Sequence, residues 1–534
     1  MRSRAEIQFR LRQELVNRLM LWWPPKAPAE RRDFQYPAPD FSANVSALAQ
    51  EILAHRFPML GTVIETGPEI RWRRDYLHDL ETGTAFFRRI PYLDRDKAGD
   101  HKVIWELNRH QHLVVLALAG ETGEIERQLT SWWEQNPFQR GINWASALEV
   151  AFRALSWLQV LSIRGERTPK RQQLLDSLYQ HGLHLEYNLS FYFSRNTHLL
   201  GEALALAALG ELFPRWKELG VNTLRRELDY QVLADGAHFE KSSYYHVYTL
   251  DMYLLAWRLA GRPPEWRPKL TLMAEYLAAL LGEGGEIPLI GDDDGGRLFH
   301  PYGTHVQYGR QTLEWAASEL GRTFVAKQES ERFAECGLIF LRAGGTEVIV
   351  DAGGFGSGRG GHSHSDTLQI IVRRGGRELL IDPGTYTYVG DPRWRDWFRG
   401  SAAHNTMRVG GREQAEAAGP FGWRSKPEVI LHGWGPDYVD AECRYGGCAH
   451  RRRVRLTDPL HLTVEDEASG GEGEQWWHLA AGAPVQFEFP EGLRAEPAEG
   501  WRSRALYQKE PAQRFVVRGQ KLTTKLTIGD LWLS

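Results

Sequence analysis

What most constrains the fold of this chain is a change in the spacing of its apolar residues. Between residues 45 and 280 they recur at helical intervals, in stretches such as HLVVLALAG, ASALEVAFRALSWLQVLSI, RQQLLDSLYQHGLHLEYNL, HLLGEALALAALGELF, TLDMYLLAWRLAG and LTLMAEYLAALLG. Such spacing puts the apolar side chains on one face of an α-helix. A loop rich in Gly and Asp, GEGGEIPLIGDDDGGRLFHPYG, follows, and then one more helical stretch, QTLEWAASEL. Beyond about residue 335 the texture is different: short β-branched or aromatic runs bounded by glycine, among them CGLIFLRAGG, TEVIVDAGG, DTLQIIVRRGGRELLIDPG, RRRVRLTDPLHLTVEDEA and KLTTKLTIGDLWL. These predict antiparallel strands of sandwich type. The expected fold is multidomain, α then β, with helical hairpins over 1–330 and a β-sandwich over 331–534.

Length and charge agree with that division and exclude several classes. A chain of 534 residues exceeds what one hydrophobic core organises. Lys+Arg at 65 against Asp+Glu at 68 leaves no net positive field to grip nucleic acid or an anionic membrane surface. No run of about 18 apolar residues predicts a membrane span. The opening MRSRAEIQFRLRQELVNRLMLWWPP scatters charge through its apolar residues and reads as an amphipathic helix ending at Pro24, with no signal peptide. A cytoplasmic location is expected on this basis, or a periplasmic or secreted one where an export signal has been removed. Three cysteines, Cys336, Cys443 and Cys448, are too few for a disulfide framework or a thiolate cage. A bound metal would therefore use histidine and carboxylate ligands.

The densest chemistry lies in GHSHSDTLQ and in RRGGRELLIDPG. Gly375-Gly376 between two apolar runs is a hairpin signal, and the hairpin brings Asp382 back toward the sheet end from which His362 and His364 enter. In an extended segment residues two apart share a face, so the two imidazoles project together. Asp382 supplies a carboxylate that zinc accepts alongside imidazole, and His404, in GSAAHNTMRVGG, offers another nitrogen. Two histidines and one aspartate leave a coordination position open. The plainer reading makes Asp382 a turn cap before Pro383 and His404 a buried histidine. A metallo-hydrolase pattern would need a histidine after Asp366, where Thr367 stands.

Two segments of the helical part also carry polar clusters. In LSFYFSRNTHLLGEALALAALGELF, Ser194, Asn196 and Thr197 can each cap the helix that follows, with His198 on its first turn. In LADGAHFEKSSYYHVYTLDMYLLAWRLAG, Ser242-Ser243 reads as a cap, followed by Tyr244, Tyr245, Tyr248 and Tyr253. Taken alone, the tyrosines read most simply as packing.

Together, WELNRHQHL, NTHLLGEALAL, DGAHFEKSSYYHVYTLD, GHSHSDTLQ with LLIDPGTYTY, and AAHNT resemble, in order and spacing, the heparinase II/III family of polysaccharide lyases. The resemblance implies an incomplete (α/α) toroid followed by an antiparallel β-sandwich, with an active site in the cleft between them. It also implies cleavage of uronic-acid-containing polysaccharides by β-elimination. By the same resemblance Asn196, helped by His198, neutralises the uronate carboxylate, and Tyr245, with Tyr244 as the alternative, transfers protons between C5 and O4. His362 is a second proton-transfer group, and zinc sits on His364, Asp382 and His404 with Asp366 supporting the turn. Asn108, Arg109, His112, Glu202 and Tyr244 are expected to contact sugar. Tyr386 and Tyr388 are candidates for a further tyrosine supplied by the β domain. The implied partner is an acidic polysaccharide or oligosaccharide, with no nucleic acid and no membrane, and a homo-oligomer is left open.

Two other classes compete with this reading. A toroid-type glycoside hydrolase would draw a carboxylate pair from Asp292, Asp293 and Asp294, or from Glu202 and Glu240. A non-catalytic polysaccharide-binding protein would keep the fold without the chemistry.

Overall fold

The structure, a computed structural model, describes residues 3–28, 36, 45–299 and 307–529. Two compact units emerge. One comprises Met1–Tyr230, Tyr248–Arg267 and Gly295–Thr304; the other comprises Gln231–Val247, Pro268–Asp294 and His305–Ser534. The sheet-rich unit thus recruits helical segments from upstream in the sequence, including the first turn of the helix Ser243–Leu259 and most of Arg267–Leu281.

The helical unit is built from helices whose apolar residues are buried almost all round. Ala147–Arg164 packs on Thr197–Leu209, and Leu199 through Leu209 is buried without a break. Small residues set the spacing between helices. A Cβ on Gly220, in Lys217–Gln231, would lie 2.3 Å from the Ala207 backbone nitrogen, and one on Gly201 would lie 2.4 Å from Leu148 Cδ1. The amphipathic opening helix is present as Arg4–Trp22, capped by the Ser3 hydroxyl, which accepts the Glu6 N–H. No helix of the described residues is long and apolar enough to cross a membrane.

In the other unit, a nine-stranded and a six-stranded antiparallel sheet pack face to face. Ile339, Leu341, Val348, Val350, Ile370 and Val372 of the larger sheet meet Val439, Ala441, Val454, Val464 and Leu526 of the smaller one. The alternate residues Phe340, Ile349 and Ile371 face the other way and pack on Tyr276, Ala279 and Leu280 of Arg267–Leu281. Burial on both faces explains why EVIVD and IIVRR read as unbroken apolar runs. Strands of the smaller sheet alternate buried with exposed, as Lys521–Ile528 does at every position. The larger sheet ends in two very short strands, Glu331–Arg332 and Glu496–Ala498. The smaller one has Glu428–Trp434, with an irregular register between Leu431 and Gly433, at one edge and Val485–Glu488 at the other.

Candidate active site

The expected GHSHSDTLQ segment is an irregular approach to the strand Ile370–Arg374 rather than part of it, and it is organised around a residue from another loop. Asp292 lies in the IGDDDG turn, where Gly291 takes φ +69° and a Cβ would come within 2.7 Å of the His362 carbonyl oxygen. That close approach lets the Asp292 N–H donate to the His362 carbonyl at 2.9 Å. The Ser242 hydroxyl donates to the Asp292 carbonyl at 2.6 Å and accepts the Tyr245 N–H at 3.1 Å, so the expected helix cap also anchors the turn. The Asp292 carboxylate is fully buried. Its Oδ2 is 3.0 Å from His362 Nδ1 and its Oδ1 is 3.0 Å from His364 Nε2. The Arg395 guanidinium forks both oxygens, with Nη2 2.7 Å from Oδ2 and Nη1 on Oδ1. Burial opposes the charge on Asp292, but Arg395 and the two imidazoles outweigh it and hold the carboxyl well below its usual range.

Tyr245 and His362 are stacked, ring centroids 3.9 Å apart and planes 23° from parallel. The Tyr245 hydroxyl is 3.2 Å from that of Tyr388, over whose ring Arg395 lies at 4.9 Å. Burial first, then the negative charge of Asp294, pushes the Tyr245 phenol well above its ordinary value. Burial likewise raises Tyr388, with Asp292 and Asp294 adding to it. For His362 burial acts downward, but Glu240 and Asp292 more than reverse it, so the imidazole titrates above its ordinary value. Its Nε2 is 3.5 Å from Glu240 Oε1.

Below this pair, His364, Asp382 and His404 present one donor atom each within 4.8 Å of one another, all buried. Asp382 arrives by the hairpin Ile370–Arg374 to Arg377–Leu380, whose turn residues Gly375 and Gly376 take φ +52° and +74°, a conformation that glycine adopts freely. Asn405 fixes the next segment by donating to the carbonyls of Ile370 and Ile381. His404 Nδ1 is 3.2 Å from Asp382 Oδ2, while His404 Nε2 and His364 Nδ1 are buried without a hydrogen-bond partner among the described residues. Two orphaned imidazole nitrogens beside a carboxylate fit a divalent metal of the zinc type. Asp366 is not one of these three donors; it accepts the Gln369 amide at 2.7 Å, and burial pushes its carboxyl up to about 7 against the pull of nearby His404.

Several expected sugar contacts have partners inside the helical unit. Arg109 is buried and its fork is taken by Glu149 at 2.6 and 2.9 Å. The Asn108 amide donates to the Trp72 and Ile104 carbonyls and accepts the Trp132 indole N–H. His112 Nε2 pairs with Gln128 at 2.8 Å. Glu202 accepts both the N–H and the hydroxyl of Ser190, at 2.7 and 2.6 Å, and burial raises its carboxyl to about 8. Tyr244, in the sheet-rich unit, is buried 5.4 Å from the Tyr308 ring. Asn196 is the expected cap, its Oδ1 accepting the His198 N–H at 3.1 Å, and both residues are half-buried. Asn196 and His198 belong to the helical unit, whereas Tyr245, His362 and Tyr388 belong to the other. Tyr386 stacks on Phe398, apart from its neighbour Tyr388.

Sequence reasoning missed Arg395 altogether and gave Asp292 only a hydrolytic role. The run Asp292-Asp293-Asp294 after the apolar IPLIG was a signal for the latter. Arg395, inside PRWRDWF, carried none.

A helical toroid followed by an antiparallel β-sandwich, with a stacked tyrosine and histidine above a His-Asp-His cluster, defines the class of protein. The model of the heparinase II/III N-terminus matches residues 8–265 and that of the heparinase II/III-like C-terminal region matches 326–531, so the chain belongs to the heparinase II/III family. A heparin-sulfate lyase of Bacteroides stercoris is 22% identical over 432 residues, covering 70% of this chain and 63% of that protein. The heparin-sulfate lyase of Pedobacter heparinus is 24% identical over 427 residues, covering 71% and 62%. The chain therefore aligns with less than two thirds of the length of these curated relatives. A crystal structure of heparinase III shares the fold at a TM-score of 0.68 and 17% identity, covering 97% of this chain and 89% of that one.

Proposed function

We propose that the protein is a polysaccharide lyase that cleaves uronic-acid-containing glycans of the heparin or heparan sulfate kind by β-elimination. The observation that carries this reading is the buried Tyr245–His362 stack with Tyr388 on the tyrosine hydroxyl. Elimination removes the C5 proton of a uronate, forms the C4–C5 double bond and expels O4, which must receive a proton. Tyr245, held in its neutral form by burial, suits the donor to O4. His362, with Nδ1 turned to Asp292, has Nε2 to accept the C5 proton. Because its pKa is raised, the neutral base form of His362 grows as pH climbs through that value, so turnover should rise over the same range. Asn196, with His198, is assigned to the substrate carboxylate, where an amide donates without titrating. Zinc held by His364, Asp382 and His404 would supply a fixed positive centre bracing the segment that carries His362.

In a toroid-type hydrolase Asp292 could not be the general acid, because it is an ionised partner of Arg395. The test is an ultraviolet assay for the conjugated 4,5-unsaturated uronate with heparin, heparan sulfate, hyaluronan and alginate. Absorbance should rise with at least one polymer and vanish for Tyr245→Phe. Reducing ends without absorbance would mean hydrolysis, and binding with no cleavage would mean a binding protein. Full activity in both Tyr245→Phe and His362→Ala would overturn the site.

A further inference from the structure

We propose that Asp292 is a shared positioning residue, one carboxylate that fixes the proton-transfer imidazole of His362 through one oxygen and the metal-facing imidazole of His364 through the other. This rests on the lyase reading only for its kinetic consequence. The geometry is specific. A carboxylate clamped by an arginine fork accepts hydrogen bonds and donates none. The nitrogens facing it at 3.0 Å, Nδ1 of His362 and Nε2 of His364, therefore both carry their protons. In its neutral form His362 then keeps its lone pair on Nε2, which faces Glu240 Oε1 at 3.5 Å, and His364 keeps one on Nδ1, the nitrogen that is buried without a hydrogen-bond partner. The two tautomers are opposite, and a single side chain imposes both. Arg395 keeps the carboxylate in register by holding both oxygens, and its Nη2 also donates to the Pro420 carbonyl at 3.0 Å. The backbone of Asp292 is fixed independently by the His362 carbonyl and the Ser242 hydroxyl. Orienting carboxylates of this kind set the tautomer of metal-bound and catalytic histidines alike. Here the two duties fall on one residue.

The test is Asp292→Asn, an isostere that offers one acceptor and one donor and so cannot satisfy both imidazoles at once. Three quantities are read in protein shown to be folded by circular dichroism: the kcat and KM of uronate elimination, zinc affinity of metal-stripped protein by chelator competition, and the ring-nitrogen tautomers of ¹⁵N-histidine-labelled protein by NMR. The expected result is a kcat lower by roughly a hundredfold or more with KM within a few-fold. Zinc affinity should weaken by about ten- to a hundredfold, and both His362 and His364 resonances should change. If Asp292→Asn does not fold, Arg395→Lys, which keeps the buried charge but loses the fork, is read in the same assays and should move all three quantities in the same direction. Loss of kcat without loss of zinc affinity, the reverse, or an unchanged tautomer at either histidine would overturn the shared role. Absence of elimination or of zinc binding in the parent protein would instead sink those readings, and the tautomers would still decide this one.

Discussion

Glu202 gives a prediction that can be worked through in numbers. Its buried carboxyl holds Ser190 by both the backbone N–H and the hydroxyl, closing the loop that leads to Asn196 and the helix Thr197–Leu209. Burial lifts its titration to about 8, whereas an unfolded glutamate titrates near about 4.3. Between those values the folded protein keeps a proton that the unfolded chain has released, so stability falls as pH rises across that window. Each tenfold difference is worth about 1.4 kcal/mol, so this group costs roughly 3–4 kcal/mol at pH 7 and about 3 kcal/mol between pH 5 and pH 8. Glu202→Gln removes the titration while keeping an acceptor for the Ser190 N–H. The weakened hydroxyl contact gives back about 1 kcal/mol. Urea midpoints of parent and variant at pH 5, 6, 7 and 8 should diverge, with the variant more stable by about 2 kcal/mol or more at pH 8 and close to the parent at pH 5. Parallel curves, or a variant less stable than the parent at pH 8, would show that Glu202 is ionised in the fold and would refute the argument.

Three further outcomes follow from the packing and from the metal-type cluster. Gly220→Ala puts a methyl group 2.3 Å from the Ala207 nitrogen, and should lower stability by about 1–3 kcal/mol in thermal melts; an unchanged melting temperature would mean that the helices have room to part. Arg452 donates from Nε and Nη2 to the two oxygens of buried Asp466, which also meets His450 at 2.8 Å. Arg452→Met strands that carboxylate and should cost about 3–5 kcal/mol by urea denaturation, and a second change, Asp466→Asn, should recover part of the loss. His404→Ala removes one of the two orphaned nitrogens, so zinc content after dialysis should fall from about one per chain to near zero; retention of zinc would move the metal elsewhere.

The residues that sequence reasoning placed well are those whose signal is local. The apolar spacing separates helices from strands, the Gly375-Gly376 turn returns Asp382 to the sheet end, and Ser242 caps the helix that begins at Ser243. His364, Asp382 and His404 come together because short connections carry them. Asp292 is different: its partners lie 70, 72 and 103 positions away, and no periodicity connects a Gly-Asp turn with an arginine in a seven-residue helix. Arg109 is the opposite case. In WELNRHQHL its polarity suggests a ligand contact, but the matching charge is Glu149, on the helix Ala147–Arg164, and the pair cancels inside the fold. Sequence displays a charge without displaying what it faces.

The borders of the two sheets bear on behaviour in concentrated solution. A strand at a sheet margin exposes unpaired backbone donors and acceptors that invite a strand from another molecule. Here the larger sheet closes on a two-residue Glu331–Arg332 strand at one margin and on Glu496–Ala498, which contains Pro497, at the other. Both are too short to template a neighbour; one carries charges and the other a residue without an N–H. On the smaller sheet, the irregular register between Leu431 and Gly433 interrupts the longer margin. Short or irregular margins of this kind disfavour strand pairing with another molecule.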